Sequence, residues 1–150
     1  MIPYFAYGSN MLVSRIREAK RAPGAQFLGV AVLRDHGLRW HKRGKDGSGK
    51  CDVVSAAGET VYGVLFSIPP AERMGLDKEE GLGSHYRAVE VSVLQEGKEV
   101  VAFAYVALPD KIKPGLRPTK EYKGFVVNGA KEHFLPEDYV AALESTPTHD

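Results

Sequence analysis

The chain is poor in the residues that announce the commoner chemistries. It has one cysteine, Cys51, so it forms no internal disulfide and fits a reducing compartment. It has no Cys-x-x-Cys. His36, His41, His85, His133 and His149 include no pair at helical ligand spacing, so no metal site is expected. It has no Gly-x-Ser-x-Gly elbow, which leaves serine hydrolysis with little support. No apolar run is long enough to span a bilayer, and no basic segment leads into an apolar stretch at the N-terminus. Formal net charge is +1, so there is no global argument for nucleic acid or a membrane as partner. A cytoplasmic enzyme or small-molecule binding domain is the expectation. A chain of 150 residues suits one domain. At that length a fold buries roughly 70% of its extended-chain surface without staples.

What is present begins at the N-terminus. Tyr4-Phe5-Ala6-Tyr7 is an apolar strand that breaks at Gly8-Ser9-Asn10 into a helical pattern with Leu12, Val13, Ile16 and Ala19 on one side. Gly8 permits backbone angles that other residues resist. Ser9 and Asn10 are both good helix N-caps. A strand, a glycine turn and a helix start leave backbone N–H groups converging on one spot, which favours an anion or an oxyanion. The same residues also fit a capped helix start with no ligand. Further on, strands are expected over 25–33, 37–41, 51–56 and 60–68, the last two joined by a hairpin turn at Ala57-Gly58-Glu59. A short helix follows Pro69-Pro70 and closes at Gly81. Two more strands span 85–94 and 99–108. Helices are expected over 119–134, weakened by Gly124 and Gly129, and from 135–138 to near Ser145. Paired strands in the middle and helices toward the ends predict an α+β fold. Its centre is a mainly antiparallel curved sheet or small barrel flanked by helices.

Three clusters invite a chemical reading. Gly44 to Cys51 nearly fits a phosphate loop, but Cys51 stands where Ser or Thr would reach magnesium. A strand follows where a helix is required, so nucleotide binding is rejected. The stretch reads instead as a basic hairpin loop, able to attract an acidic ligand through Lys42, Arg43, Lys45 and Lys50. Asp77, Glu79 and Glu80 fall in the last turn of a short helix. There the dipole and their mutual repulsion favour the protonated carboxyl, which suits proton exchange near neutral pH. A solvated acidic patch is the other reading.

Four segments in register resemble the γ-glutamylcyclotransferases: Tyr7-Gly8-Ser9-Asn10, Val61-Tyr62-Gly63-Val64, Leu76-Asp77-x-x-Glu80-Gly81 with Tyr86, and Asn128-Gly129-Ala130-Lys131-Glu132. The resemblance runs over nearly the whole chain. It implies a small β-barrel flanked by helices and cyclisation of a γ-glutamyl amide to 5-oxoproline with release of an amine. It implies that the turn Tyr7, Gly8, Ser9 and Asn10 cradles the γ-glutamyl group, that Glu80 is the general acid/base, and that Tyr86 and Tyr122 line the pocket. No metal or cofactor is implied. The partner is a small γ-glutamyl substrate, and a homodimer is compatible with it. The loop 43–50 departs from the family pattern. The leaving group therefore stays open among an amino acid, a peptide, an amine and a carrier-bound intermediate. A non-catalytic binding domain of the same fold is the further alternative. Arg87 is a weaker candidate for holding a carboxylate.

Overall fold

The computed structural model describes residues 1–150. Five strands form a closed barrel: β1 (Ile2–Ala6), β2 (Gln26–Arg43), β3 (Gly49–Ile68), β4 (Tyr86–Gln95) and β5 (Lys98–Ala107). Their order around the barrel is β1-β3-β2-β4-β5. All pairings are antiparallel except the closing one, where Tyr4 of β1 lies parallel to Phe103 of β5. Closure leaves no sheet edge running the length of the barrel. Phe5, Leu65, Phe66, Val61, Val64 and Val93 are fully buried. Val64, Leu65 and Phe66 are consecutive, so this part of β3 is covered on both faces, by the barrel interior and by what packs outside it.

The four strands expected over residues 25–68 are halves of two longer ones. Residues 25–33 and 37–41 belong to the single strand β2, and 51–56 and 60–68 to β3. The hairpin expected at Ala57-Gly58-Glu59 is a bulge instead. Register passes from Arg34↔Thr60 to His36↔Ser55, and both halves of β3 keep β2 as partner. Gly58 has φ 81°, and its N–H donates to Asp35 Oδ1 at 3.0 Å. A left-handed glycine serves a bulge as well as a turn, which is why composition alone favours the turn. The bends let two long strands wrap the barrel. The hairpin between them, at Gly44–Ser48, is brought to the same barrel end as the turn after β1.

The helices are α1 (Val13–Ile16), α2 (Arg73–Glu80), α3 (Lys120–Glu132) and α4 (Glu137–Glu144). The first is a single turn. The longer helix expected from the Leu12–Ala19 pattern stops at Arg17, whose Nε turns back to donate to the Ala25 carbonyl at 2.8 Å. Ser9–Met11 forms a 3₁₀ turn ahead of it, without a side-chain cap from Gly8. The Thr119 hydroxyl caps α3 by accepting from the Tyr122 N–H at 3.1 Å.

The two glycines of α3 have opposite roles. A Cβ at Gly129 would lie 2.8 Å from Leu12 N and Met11 Cβ, so α3 seats directly on the turn that carries Ser9 and Asn10. A Cβ at Gly124 would meet nothing. Gly124→Ala is therefore expected to stabilise by up to about 1 kcal/mol through helix propensity. Gly129→Ala should lose about 1–3 kcal/mol through overpacking. Thermal melts of the two variants moving in opposite directions would bear out this seating; a stabilised Gly129→Ala would contradict it.

Candidate active site

One end of the barrel holds a cavity of about 560 Å³. Tyr7, Gly8, Ser9, Asn10, Glu80, Tyr86 and Tyr122 all line it, so these seven residues singled out from sequence face one space. Arg87 does not; it is exposed on β4.

Glu80 is the last residue of α2. Gly81 ends the helix with φ 72°, and the Leu82 N–H donates to the Asp77 carbonyl at 2.9 Å in a left-handed cap. The His85 ring would lie 2.9 Å from any Cβ at position 81, so the glycine is needed for space as well as for angle. The three carboxylates of the acidic cluster diverge. Asp77 accepts from Arg73 at 3.0 Å and from the Tyr105 hydroxyl at 2.5 Å. Glu79 pairs with Lys20 at 3.2 Å on the rim. Glu80 alone turns inward, where Asn10 Nδ2 donates to its Oε1 at 2.5 Å. Burial pushes the Glu80 carboxyl above the usual carboxylate range. Arg21, the Asn10 hydrogen bond, Arg15 and Lys42 pull the other way.

Asn10 is 3% exposed and spoken for on both faces of its amide. Its Nδ2 reaches the Tyr4 hydroxyl at 3.0 Å besides Glu80, and its Oδ1 accepts from Arg21 at 3.5 Å. It orients the carboxylate rather than capping a helix. Ser9 accepts from Arg15 Nε at 3.0 Å. The backbone N–H groups of Ser9 and Asn10 donate to no acceptor in the chain, which leaves them available at the cavity. Gly8 has φ −116°, so it does not adopt the left-handed conformation. Its small size is what the packing requires. A Cβ there would stand 3.2 Å from Cys51 Cβ and 3.4 Å from the Tyr122 hydroxyl.

The tyrosines form a wall. Tyr86 donates its hydroxyl to the Cys51 carbonyl at 2.9 Å, and the Tyr122 oxygen accepts from the Cys51 N–H at 3.1 Å. Tyr7 donates to the Tyr105 carbonyl at 2.5 Å. Burial raises all three phenols far above their ordinary value, so they stay neutral. Burial also pushes the Cys51 thiol up to about 12, which makes it an inert wall residue.

Sequence reading singles out Lys42 and Lys50 of the basic loop as able to attract an anion, but it misses Arg15 and Arg21 and places none of the four at the site. Arg15, Arg21, Lys42 and Lys50 line the cavity although they fall among residues of apparently solvent-facing segments. The loop 43–50 is not peripheral: Lys42 at the base of its stem is 5% exposed, and Lys45 at its tip reaches the rim. Burial pushes the Lys42 ammonium down to about 8, partly opposed by Glu80. His85 is also lowered by burial, so its neutral ring accepts from Lys42 Nζ at 2.7 Å. No local pattern places these residues at the site; only the long β2–β3 hairpin and the bend after α1 bring them in.

The inward carboxylate of Glu80 and the cations Arg15, Arg21, Lys42 and Lys50 thus share one cavity at the end of a closed barrel. Residues 60–143 match the AIG2-like family. A gamma-glutamylcyclotransferase of Bos taurus is 36% identical over 98% of this chain and 79% of its own length; that of Homo sapiens is 35% identical over the same shares. A solved gamma-glutamyl cyclotransferase structure superposes with a TM-score of 0.89 at 33% identity, covering 99% of this chain and 89% of that one. The chain belongs to the γ-glutamylcyclotransferase family, with its AIG2-like fold. No helix is long and apolar enough to cross a membrane.

Proposed function

We propose that the protein cyclises the γ-glutamyl group of a γ-glutamyl amide to 5-oxoproline and releases the amine, with Glu80 as the general acid/base. The observation that carries this reading is the direct link between the two motif segments: the turn residue Asn10 hydrogen-bonds the Glu80 carboxylate across the cavity. The substrate holds its own nucleophile near the γ-carbonyl, so intramolecular attack already gains from proximity. Proton traffic remains. The Glu80 carboxylate takes a proton from the substrate α-ammonium. The freed amine then attacks the γ-carbon and forms the lactam C–N bond. The oxyanion that develops is met by the free N–H groups of Ser9 and Asn10. Glu80 returns the proton to the leaving nitrogen, the original amide C–N bond breaks, and the second proton of the attacking nitrogen passes through the same carboxylate to the released amine, which leaves a neutral lactam and an ammonium. Arg15, held against Ser9, is suited to the substrate α-carboxylate.

The raised carboxyl suits both proton transfers, because a base closer in pKa to its donor transfers protons with less penalty. Glu80 must be ionised in the free enzyme. Since its folded value is raised, kcat/KM should climb with pH through a limb above the ordinary carboxylate range. The test is mass-spectrometric detection of 5-oxoproline from γ-glutamyl substrates, followed by that profile. A rising limb at the ordinary carboxylate position would show that the titrating base is another, less buried group.

A further inference from the structure

We propose that the leaving side of the cavity selects an acidic amine: the preferred substrate is a γ-glutamyl derivative whose released amine carries two carboxylates, as in γ-glutamyl-glutamate. The inference rests on the cyclisation reading and narrows its substrate class.

Lys42 and Lys50 are direct register partners across β2 and β3. Like charges placed opposite one another destabilise a ladder. Here they are also partly withdrawn from water, and the carboxylates that act on them are few: Glu80 on Lys42, and chiefly Asp46 on Lys50. Lys42 donates to the neutral His85, and Lys50 lies 4.0 Å from Asp46. Asp46 turns its Oδ1 to Ser48, whose N–H donates at 3.0 Å and whose hydroxyl donates at 2.6 Å, and leaves Oδ2 to the long contact with Lys50. Each ammonium rests over its own aromatic face, Lys42 at 4.9 Å from the Tyr86 centroid and Lys50 at 4.4 Å from the Tyr122 centroid. A ring face attracts a cation without neutralising it. Three lysines set against the Glu80 carboxylate and one long ion pair leave this side of the cavity with excess positive charge, which an anion from outside would balance.

Arg15, held beside Ser9, is the cation assigned above to the γ-glutamyl α-carboxylate. That leaves the lysine wall for the other end of the substrate. Lys45 at the hairpin tip adds a third ammonium to the same side and forms no ion pair. One carboxylate would balance one of three cations. Two seats on two separate rings match two separated negative groups.

The test compares γ-glutamyl ethylamide, γ-glutamyl-alanine and γ-glutamyl-glutamate, whose leaving amines carry zero, one and two carboxylates. Each added carboxylate should raise kcat/KM by about tenfold, the range of a charge-assisted hydrogen bond. Lys42→Met and Lys50→Met should each compress the ratio of γ-glutamyl-glutamate to γ-glutamyl ethylamide by about tenfold. Calorimetry on Glu80→Gln should give the same ranking of affinities without turnover. Equal kcat/KM across the series, or a preference for γ-glutamyl-alanine over γ-glutamyl-glutamate, overturns the inference and leaves cyclisation standing. Charge-graded binding with no 5-oxoproline from any substrate supports the selection and overturns the cyclisation reading. Should Lys42→Met fail to fold, the wild-type series and Lys50→Met decide.

Discussion

Replacing Glu80 by glutamine should lower kcat by about a hundredfold or more while KM moves little. The loss is the usual contribution of a general acid/base. KM is spared because glutamine keeps the Oε1 acceptor for Asn10 and the volume of the side chain. Glu79→Gln is the control. Glu79 sits on the rim against Lys20, whose side chain is 61% exposed, and such pairs contribute little. If Glu79→Gln abolishes turnover and Glu80→Gln does not, the catalytic assignment belongs one residue earlier. A stability readout accompanies the kinetic one. The folded pKa of Glu80 lies above its unfolded value, so the fold favours the protonated carboxyl. Stability from that preference is complete below the unfolded pKa and is lost as pH rises through the folded one. At neutral pH the wild type therefore holds an unfavourable buried charge that glutamine lacks. Glu80→Gln should melt higher than wild type at neutral pH, and the difference should shrink in acid. A variant that is both inactive and stabilised separates a catalytic role from a structural one.

Much of this arrangement is legible in the sequence because it is local. The break after Tyr7, the cap at Gly81 and the alternation of the strands are short-range signals, each set by a few adjacent residues. The α+β barrel follows from their order. What escapes sequence reading is set by long-range geometry. The kink at Asp35 and Gly58 merges four expected strands into two, because a left-handed glycine looks the same in a bulge and in a turn. That merger carries Lys42 and Lys50 to the cavity. Their charge marks a basic loop able to attract an anion, but only the closed barrel brings the Tyr86 and Tyr122 rings beneath them. Arg15 and Arg21 escape for the same reason. The pattern predicts a longer helix, whereas the chain turns back after one helical turn and Arg21 is 7% exposed. Ser9 and Asn10 fall at a helix start as predicted, but their side chains serve Arg15 and Glu80 instead of the helix.

Gly8→Val should abolish most ligand binding in a protein that still folds. The conformation at Gly8 lies outside the left-handed region, so the argument is steric. An added Cβ would press on Cys51 Cβ at 3.2 Å and on the Tyr122 hydroxyl at 3.4 Å, and valine's two methyl groups extend further into the same space. Cys51 cannot retreat easily, since Tyr86 and Tyr122 hold both sides of its backbone. The turn must therefore move, and with it the N–H groups of Ser9 and Asn10 and the amide that orients Glu80. Overpacking of this kind lowers stability by about 1–3 kcal/mol, which a barrel with its own apolar core should survive. Binding is more sensitive, because a displacement near 1 Å at a preorganised site is enough to misplace the reacting groups. Gly8→Ala should be intermediate, since a lone Cβ needs the neighbours to give by only a few tenths of an ångström. Cys51→Ala in the valine background should restore part of the affinity, because the Cys51 sulfur, 3.7 Å from the added Cβ, is the atom most readily removed. Calorimetry with a γ-glutamyl ligand on all three folded variants decides the point. Full affinity in Gly8→Val would mean that the ligand does not rest on this turn, and the Ser9 and Asn10 amides would lose their role in binding it.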